Sequence, residues 1–119
     1  MSDLEGRLRL YFNALNAFDI KTVEDMFAED AGYVSSGLSN EKLGRANIMM
    51  SFQTYFEEFA DQVSVDDNIK LIAPNTFSSD WRLKATSRKT ANLLEREGTQ
   101  VTTFNDVGLI AHIEVRNRD

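Results

Sequence analysis

The sequence predicts an α+β fold in which three N-terminal helices pack on a strongly curved, mostly antiparallel sheet. Apolar residues recur at helical spacing before Asp61, and they alternate with a strand period of about two after it. Helices segregated from an antiparallel sheet are typical of the α+β class. A long twisted sheet covered by one layer of helices curls around them. We therefore expect the curled sheet, closed by helices on one side, to leave a hollow at its wider end, where small ligands bind.

Two helices are predicted at the start of the chain. The first, over residues 3–17, has an apolar stripe at spacings of 4, 3, 4 and 3, and Ser2 and Glu5 have the spacing of a capping box. Its stripe consists of Leu4, Leu8, Tyr11, Leu15 and Phe18. Asp19 is expected to cap a second, short helix by accepting from an amide near Thr22. Residues 28–31 then form the exit, and residues 32–35 form a first short strand.

Residues 36–43 are predicted to be a polar loop, and Gly44-Arg45 opens a third helix. The apolar stripe of this helix consists of Ile48, Phe52, Tyr55, Phe56 and Phe59. Four strands follow, and the hairpin turn between the last two places Gly108 where a positive φ is needed. The predicted strands are Val63–Ala73, Phe77–Ala85, Gln100–Asn105 and Leu109–Arg116. Residues 90–98 remain open between a strand, a helical turn and a loop.

Composition limits the classes of function. The chain has 119 residues, which fit a single domain over 1–119, and a net charge of −6. That charge argues against nucleic acid and against an anionic membrane surface as partners. The absence of cysteine, of an 18-residue apolar run and of a basic leader favours a cytoplasmic protein. One histidine without cysteine does not build a usual zinc site, and no phosphate-binding glycine motif is present, so no metal or cofactor is implied.

Several stretches carry a resemblance to a known family. The segment Tyr11-Phe-Asn-Ala-Leu-Asn-Ala-Phe-Asp-Ile-Lys-Thr-Val-Glu-Asp-Met-Phe-Ala-Glu-Asp-Ala31 resembles the opening of the nuclear transport factor 2-like superfamily, and most of all its SnoaL-like branch. Residues 44–48 resemble the entry to its third helix, Phe77–Ala85 its long central strand and Phe104–Ile110 its final hairpin. Ketosteroid isomerases and polyketide cyclases are relatives.

The resemblance implies a cone-shaped α+β barrel, an apolar pocket for a small molecule, and a homodimer formed through the sheet. This superfamily holds isomerases, dehydratases and cyclases as well as modules without catalysis. We therefore expect a small-molecule pocket protein, with cofactor-free isomerase, dehydratase or cyclase activity on an apolar, oxygen-bearing substrate. The alternative is a non-catalytic ligand-binding or dimerisation module of the same fold.

The resemblance also transfers site positions. Ketosteroid isomerases use a carboxylate base with a tyrosine and a protonated aspartic acid as oxyanion donors. The tyrosine aligns with Tyr11, the base with Ser35 and the second donor with Gln100. Because Ser35 is not a base near neutral pH, the reaction of the ketosteroid isomerases themselves is not expected. Tyr11 is equally readable as a core residue of the first helix, and Ser35 and Gln100 as ordinary strand residues.

The remaining candidates come from the strand pattern. Trp81 lies on the apolar face of the central strand, where it either stacks on a ligand or packs in the core. Asp80 and His112 are the two options for a general base, although the alternation places each on the outer face. The apolar set of the last strand, expected inside, is Leu109, Ala111, Ile113 and Val115. The acidic pairs Glu29-Asp30, Glu57-Glu58 and Asp66-Asp67 are interpreted as solvated charge.

Overall fold

A computed structural model describes residues 3–35 and 41–117 and confirms the α+β class, with three helices and a six-stranded sheet. The elements are α1 (Leu4–Asn16), α2 (Ile20–Met26), β1 (Phe27–Ser35), β2 (Lys42–Leu43), α3 (Arg45–Glu58), β3 (Val63–Ala73), β4 (Thr76–Thr86), β5 (Leu93–Phe104) and β6 (Ile110–Asn117). No helix in the two described ranges has the length and apolar character needed to cross a membrane.

The sheet is mixed and open. Its strand order is β2-β1-β6-β5-β4-β3, and every neighbouring pair is antiparallel except β1 and β6, which are parallel. The sheet curls around the helices, but its edge strands β2 and β3 do not pair with each other. The expected cone is therefore a curled sheet that does not close into a complete barrel.

The helix boundaries follow local capping chemistry. Asp3, and not the predicted Ser2, caps α1, because its Oδ1 accepts a hydrogen bond from the amide of Gly6 at 2.8 Å. Ser2 lies outside the described residues. Asp19 caps α2 as predicted, and its Oδ1 accepts from the amide of Thr22 at 3.3 Å. Gly44 precedes α3 with a φ of 89°, a conformation that favours glycine.

The strands around the first helices differ from the prediction. β1 begins at Phe27 rather than residue 32, because Phe27 is already paired with Ile110 of β6. The predicted exit at residues 28–31 lies inside this strand, at a register shift between Phe27 and Gly32. Within the predicted loop 36–43, Lys42 and Leu43 form the short β2, and residues 36–40 lie outside the described residues.

The open question over residues 90–98 is resolved as strand from Leu93 onward. β5 pairs with β4 in a continuous register from Thr86 opposite Leu93 to Thr76 opposite Thr103. The predicted strand began only at Gln100, because residues 95–97 are all charged and show no apolar alternation. Tertiary pairing with β4 supplies the strand that the local pattern does not indicate.

The core lies between the helices and the inner face of the sheet. Tyr11 belongs to it, with 1% of its surface exposed and its ring 5.8 Å from that of Phe12 and 5.7 Å from that of Phe27. On β6, Ile110 and Ile113 are fully buried, so the expected inner set is wrong at Ile110. The reason is a register shift that places Ile110 opposite Phe104 and His112 opposite Thr103, so the alternation changes phase at this bulge.

Gly98 is predicted to be important for the stability of the sheet. A Cβ at this position would overlap the backbone carbonyl of Arg116 and lie 2.9 Å from the Trp81 ring. Gly98→Ala should therefore lower the free energy of unfolding by about 2–3 kcal/mol, as overpacking against fixed backbone does. Gly32→Ala is the control, because its Cβ would meet only the ends of the Glu41 and His112 side chains. Urea denaturation of both variants measures the difference, and equal losses would contradict the prediction.

Candidate functional site

A groove of about 1020 Å³ lies between the inner face of the sheet and helices α1 and α3. Most of its wall is apolar, and aromatic side chains predominate along the helical side. The aromatic residues of the wall are Phe12, Tyr33, Phe52, Tyr55, Phe56, Phe59 and Trp81. Apolar concave sites with a few polar groups are typical of small-molecule binding.

The strand register decides which side chains share the groove. Residues opposite one another on neighbouring strands point to the same face of a sheet, and so do residues two apart on one strand. Three successive rows on the inner face are Ser35–Val115–Gln100–Ser79, then Asn117–Gly98–Trp81–Asp66, then Arg96–Leu83–Ser64. The second row places a carboxyl group directly beside the indole of Trp81.

Asp66 is the carboxyl group that lies beside Trp81 on the groove wall. The side chain is partly buried, and this desolvation, together with the neighbouring charge of Asp67, raises the pKa of Asp66 from 3.8 to about 6. The interpretation of Asp66 as solvated charge is therefore wrong. Asp67 does lie on the outer face, 3.9 Å from the guanidinium of Arg82.

Three tyrosines lie on or next to the groove wall, and two of them, Tyr11 and Tyr33, interact electrostatically with Asp66. Burial and the charge of Asp66 raise the pKa of Tyr33 to about 12. Burial raises the pKa of Tyr11 well above 10.0, with further contributions from Tyr33 and Asp66. Burial also raises the pKa of Tyr55, whose buried hydroxyl has no hydrogen-bond partner within the described parts of the chain. All three phenols are thus protonated donors at neutral pH.

The structure places four of the six sequence-based candidates on or next to the groove wall. Ser35, Trp81 and Gln100 line the groove, and Tyr11 packs next to its wall in the core. The indole Nε1 of Trp81 donates to the carbonyl of Thr99 at 3.0 Å, which fixes the ring. Gln100 is nearly buried, and its Nε2 donates to the hydroxyl of Thr102 at 3.0 Å.

Neither predicted base option lines the groove. Asp80 accepts a hydrogen bond from Nδ2 of Asn68 at 2.8 Å. His112 has a side chain that is 43% exposed, and its Nε2 lies 3.2 Å from a carboxylate oxygen of Glu41. In residues 3–35 and 41–117, no three acidic or histidine side chains are grouped so as to hold a metal ion.

Sequence reasoning missed Asp66, Tyr33 and Tyr55. Tyr55 was included in the apolar stripe of α3, and a phenol in such a stripe has the same pattern as a phenylalanine. Tyr33 lay in the predicted short strand without a register to place it. The usable signal for Asp66 was its position opposite Trp81, which requires the β3–β4 register.

The curled open sheet, its cover of three helices and the groove between them define a nuclear transport factor 2-like protein. The sequence profile of the SnoaL-like domain matches residues 8–113, so the chain belongs to the SnoaL-like domain family. No match was found among curated proteins.

Solved structures show the same fold. Bal32a, from a soil-derived mobile gene cassette, is 21% identical with a TM-score of 0.87, covering 98% of this chain and 89% of its own. The epoxide hydrolase/cyclase-like enzyme SalBIII, of pyran ring formation in salinomycin, is 16% identical with a TM-score of 0.85, covering 97% and 90%. RV0760c from Mycobacterium tuberculosis, in complex with estradiol-17beta-hemisuccinate, is 14% identical with a TM-score of 0.77, covering 88% and 85%.

The burial of Asp66 predicts a pH-dependent change in stability. The folded protein holds the Asp66 proton up to about pH 6, whereas the unfolded chain releases it near pH 4. This group's contribution to stability is therefore fully present below pH 4 and is lost as the pH rises through 6. The full shift corresponds to about 3 kcal/mol, and solvent screening at this partly exposed site lowers it to about 1–2 kcal/mol.

Asp66→Asn should therefore raise the free energy of unfolding by about 1 kcal/mol at pH 7.5, and by much less at about pH 4. Asp67→Asn is the matched control, because this neighbouring carboxylate is on the outer face. Urea denaturation at both pH values measures the effect. Equal changes for the two variants would show that Asp66 is not desolvated.

Proposed function

We propose that the groove binds a small, largely apolar, oxygen-bearing molecule and that Asp66 transfers a proton on it without a cofactor. The observation that carries this proposal is a partly buried carboxyl group with a pKa of about 6, placed on the groove wall beside Trp81. A general base works best when its pKa is near the working pH, and most of Asp66 is ionised at pH 7.

The tyrosines supply the complementary donors. Removing a proton next to a carbonyl, or opening an epoxide, places negative charge on an oxygen, and fixed donors stabilise that charge. Tyr33 and Tyr55 line the groove and stay protonated when Asp66 is ionised. In this proposal the hydroxyl of Tyr11, packed next to them, completes the donor group, and Ser35 and Gln100 contact the bound molecule from the sheet.

Isomerisation, dehydration and intramolecular cyclisation all need this combination of a base and oxygen donors in an apolar site. Similar structures support this range of chemistry, since SalBIII acts in pyran ring formation and RV0760c holds a steroid hemisuccinate. A non-catalytic binding module would share the groove but would have no use for a carboxyl group with a raised pKa.

The base can be tested with 5-nitrobenzisoxazole, whose ring opens with a colour change when one carbon-bound proton is removed. We expect catalysis that rises with pH through an apparent pKa near 6, as the carboxylate of Asp66 forms. Asp66→Asn should lower kcat/KM by about 100-fold or more, within the usual range for loss of a general base. Asp67→Asn should retain most of the activity and lower the apparent pKa of the profile, because the charge of Asp67 helps to raise the pKa of Asp66. Full activity in Asp66→Asn would refute the assignment.

The oxygen donors can be tested in the same assay, because the ring-opened product is a phenolate. Tyr11→Phe and Tyr33→Phe should each lower kcat by about 10-fold, with little change in KM, since a transition-state hydrogen bond is lost. Phe52→Leu is the control: this ring packs 5.5 Å from that of Tyr33 and carries no hydroxyl. It should raise KM instead, and an unchanged kcat in Tyr11→Phe would remove that residue from the mechanism.

A further inference from the structure

We propose that the molecule bound in the groove carries a carboxylate or similar anionic group, and that Arg96 binds it. The inference rests on the proposed use of the groove as a ligand site and extends it to the chemical class of the ligand. It does not depend on Asp66 acting as a base.

Arg96 is placed on the inner side of the sheet by its register. It precedes Gly98 and Gln100 at two-residue intervals on β5, and it lies opposite Leu83 of β4. Arg96, Leu83 and Leu94 all line the groove. The side chain of Arg96 is exposed, so its guanidinium lies at the open side of the groove, within reach of an anionic group on a bound molecule.

The charged side chains on the outer face of the same strands behave differently. Lys84 lies 3.9 Å from Glu95, and Arg82 lies 3.9 Å from Asp67. Arg96, in contrast, forms no ion pair with any carboxylate of residues 3–35 and 41–117, and its Nη1 donates to the backbone carbonyl of Glu95 at 3.1 Å. This is notable in a chain with a net charge of −6.

The acids that line the groove near its rim already have partners. Glu58 accepts from the hydroxyl of Ser87 at 2.6 Å and lies 3.9 Å from Lys89. Glu41 lies 3.2 Å from His112. Most of the N–H donors of Arg96 are thus available to an outside anion, and a guanidinium binds carboxylate in a two-point geometry.

Trp81 connects this cation to the proposed reaction centre. Its indole is fixed by the hydrogen bond to Thr99 and lies close to Gly98, which has no side chain to cover it. Asp66 is directly opposite Trp81, and Arg96 is its diagonal neighbour on the same face. Strand spacing and rise place the Cα atoms of Asp66 and Arg96 about 12 Å apart. A flat molecule over the indole would have its reacting carbon near Asp66 and its anionic group toward Arg96.

Two fluorescent probes that differ only in a sulfonate test the inference: 1-anilinonaphthalene-8-sulfonate and neutral N-phenyl-1-naphthylamine. Arg96→Gln should weaken binding of the sulfonate about tenfold, the loss expected for one charge-assisted contact, and change binding of the neutral probe less than about twofold. Arg82→Gln, which removes the same charge from the outer face, should leave both affinities unchanged. Arg96→Lys should recover only part of the sulfonate affinity, because lysine keeps the positive charge but lacks the two-point binding geometry of the guanidinium.

The outcomes separate the two proposals. Weaker binding of both probes to Phe52→Leu, which removes an aromatic ring from the groove wall, confirms that binding is in the groove. If the neutral probe binds in the groove and Arg96→Gln leaves the sulfonate affinity unchanged, the anion site is refuted. The proposal that the groove binds a ligand is then retained. The same refutation follows if Arg82→Gln weakens the sulfonate equally. If neither probe binds in the groove, the proposed ligand site and the anion site both fail.

Discussion

The site depends on a two-point hydrogen bond between the side chain of Asn16 and the backbone of Ser64. Nδ2 of Asn16 donates to the Ser64 carbonyl at 2.7 Å, and the Ser64 amide donates to Oδ1 at 2.9 Å. This contact joins the end of α1 to the start of β3 and fixes the face that β3 turns toward the helices. A slip of one residue would exchange the two faces of the strand and move Asp66 out of the groove.

The strand held in this way is unfavourable by itself. Val63 and Val65 are 58% and 49% exposed on the outer face, whereas the polar Ser64 and the carboxyl of Asp66 face inward. Both features oppose the usual burial preference, so their cost must be offset by the core under α1, α2 and β6. Local disagreement between pattern and structure is expected at functional sites, and β3 is where this chain shows it.

This reversed burial of polar and apolar residues on β3 explains which features could be predicted from the sequence and which could not. Helical periodicity, the Asp19 cap and the Gly108 turn depend on local chemistry, and each is confirmed. The position of Asp66 in the groove depends on which face of β3 is inside. The alternation of polar and apolar residues alone would place Val63 and Val65 on the inner face. The start of β5 and the phase of β6 likewise depend on pairing partners and on a bulge. Local sequence patterns therefore predicted the helices and strands. Placing the Asp66 carboxyl group in the groove required the register between β3 and β4.

The position of the carboxyl group also bears on mechanism. The resemblance to ketosteroid isomerases implied a base at the end of β1, where this chain has Ser35. Asp66 is on β3, at the opposite end of the strand order, while Ser35 and Gln100 keep their places on the groove wall. Because the ionised Asp66 itself raises the pKa of Tyr33 and Tyr11, base and donors coexist at neutral pH. Under the proposed function, the proton is taken from the β3 side of the bound molecule, and a substrate has to present its acidic carbon there.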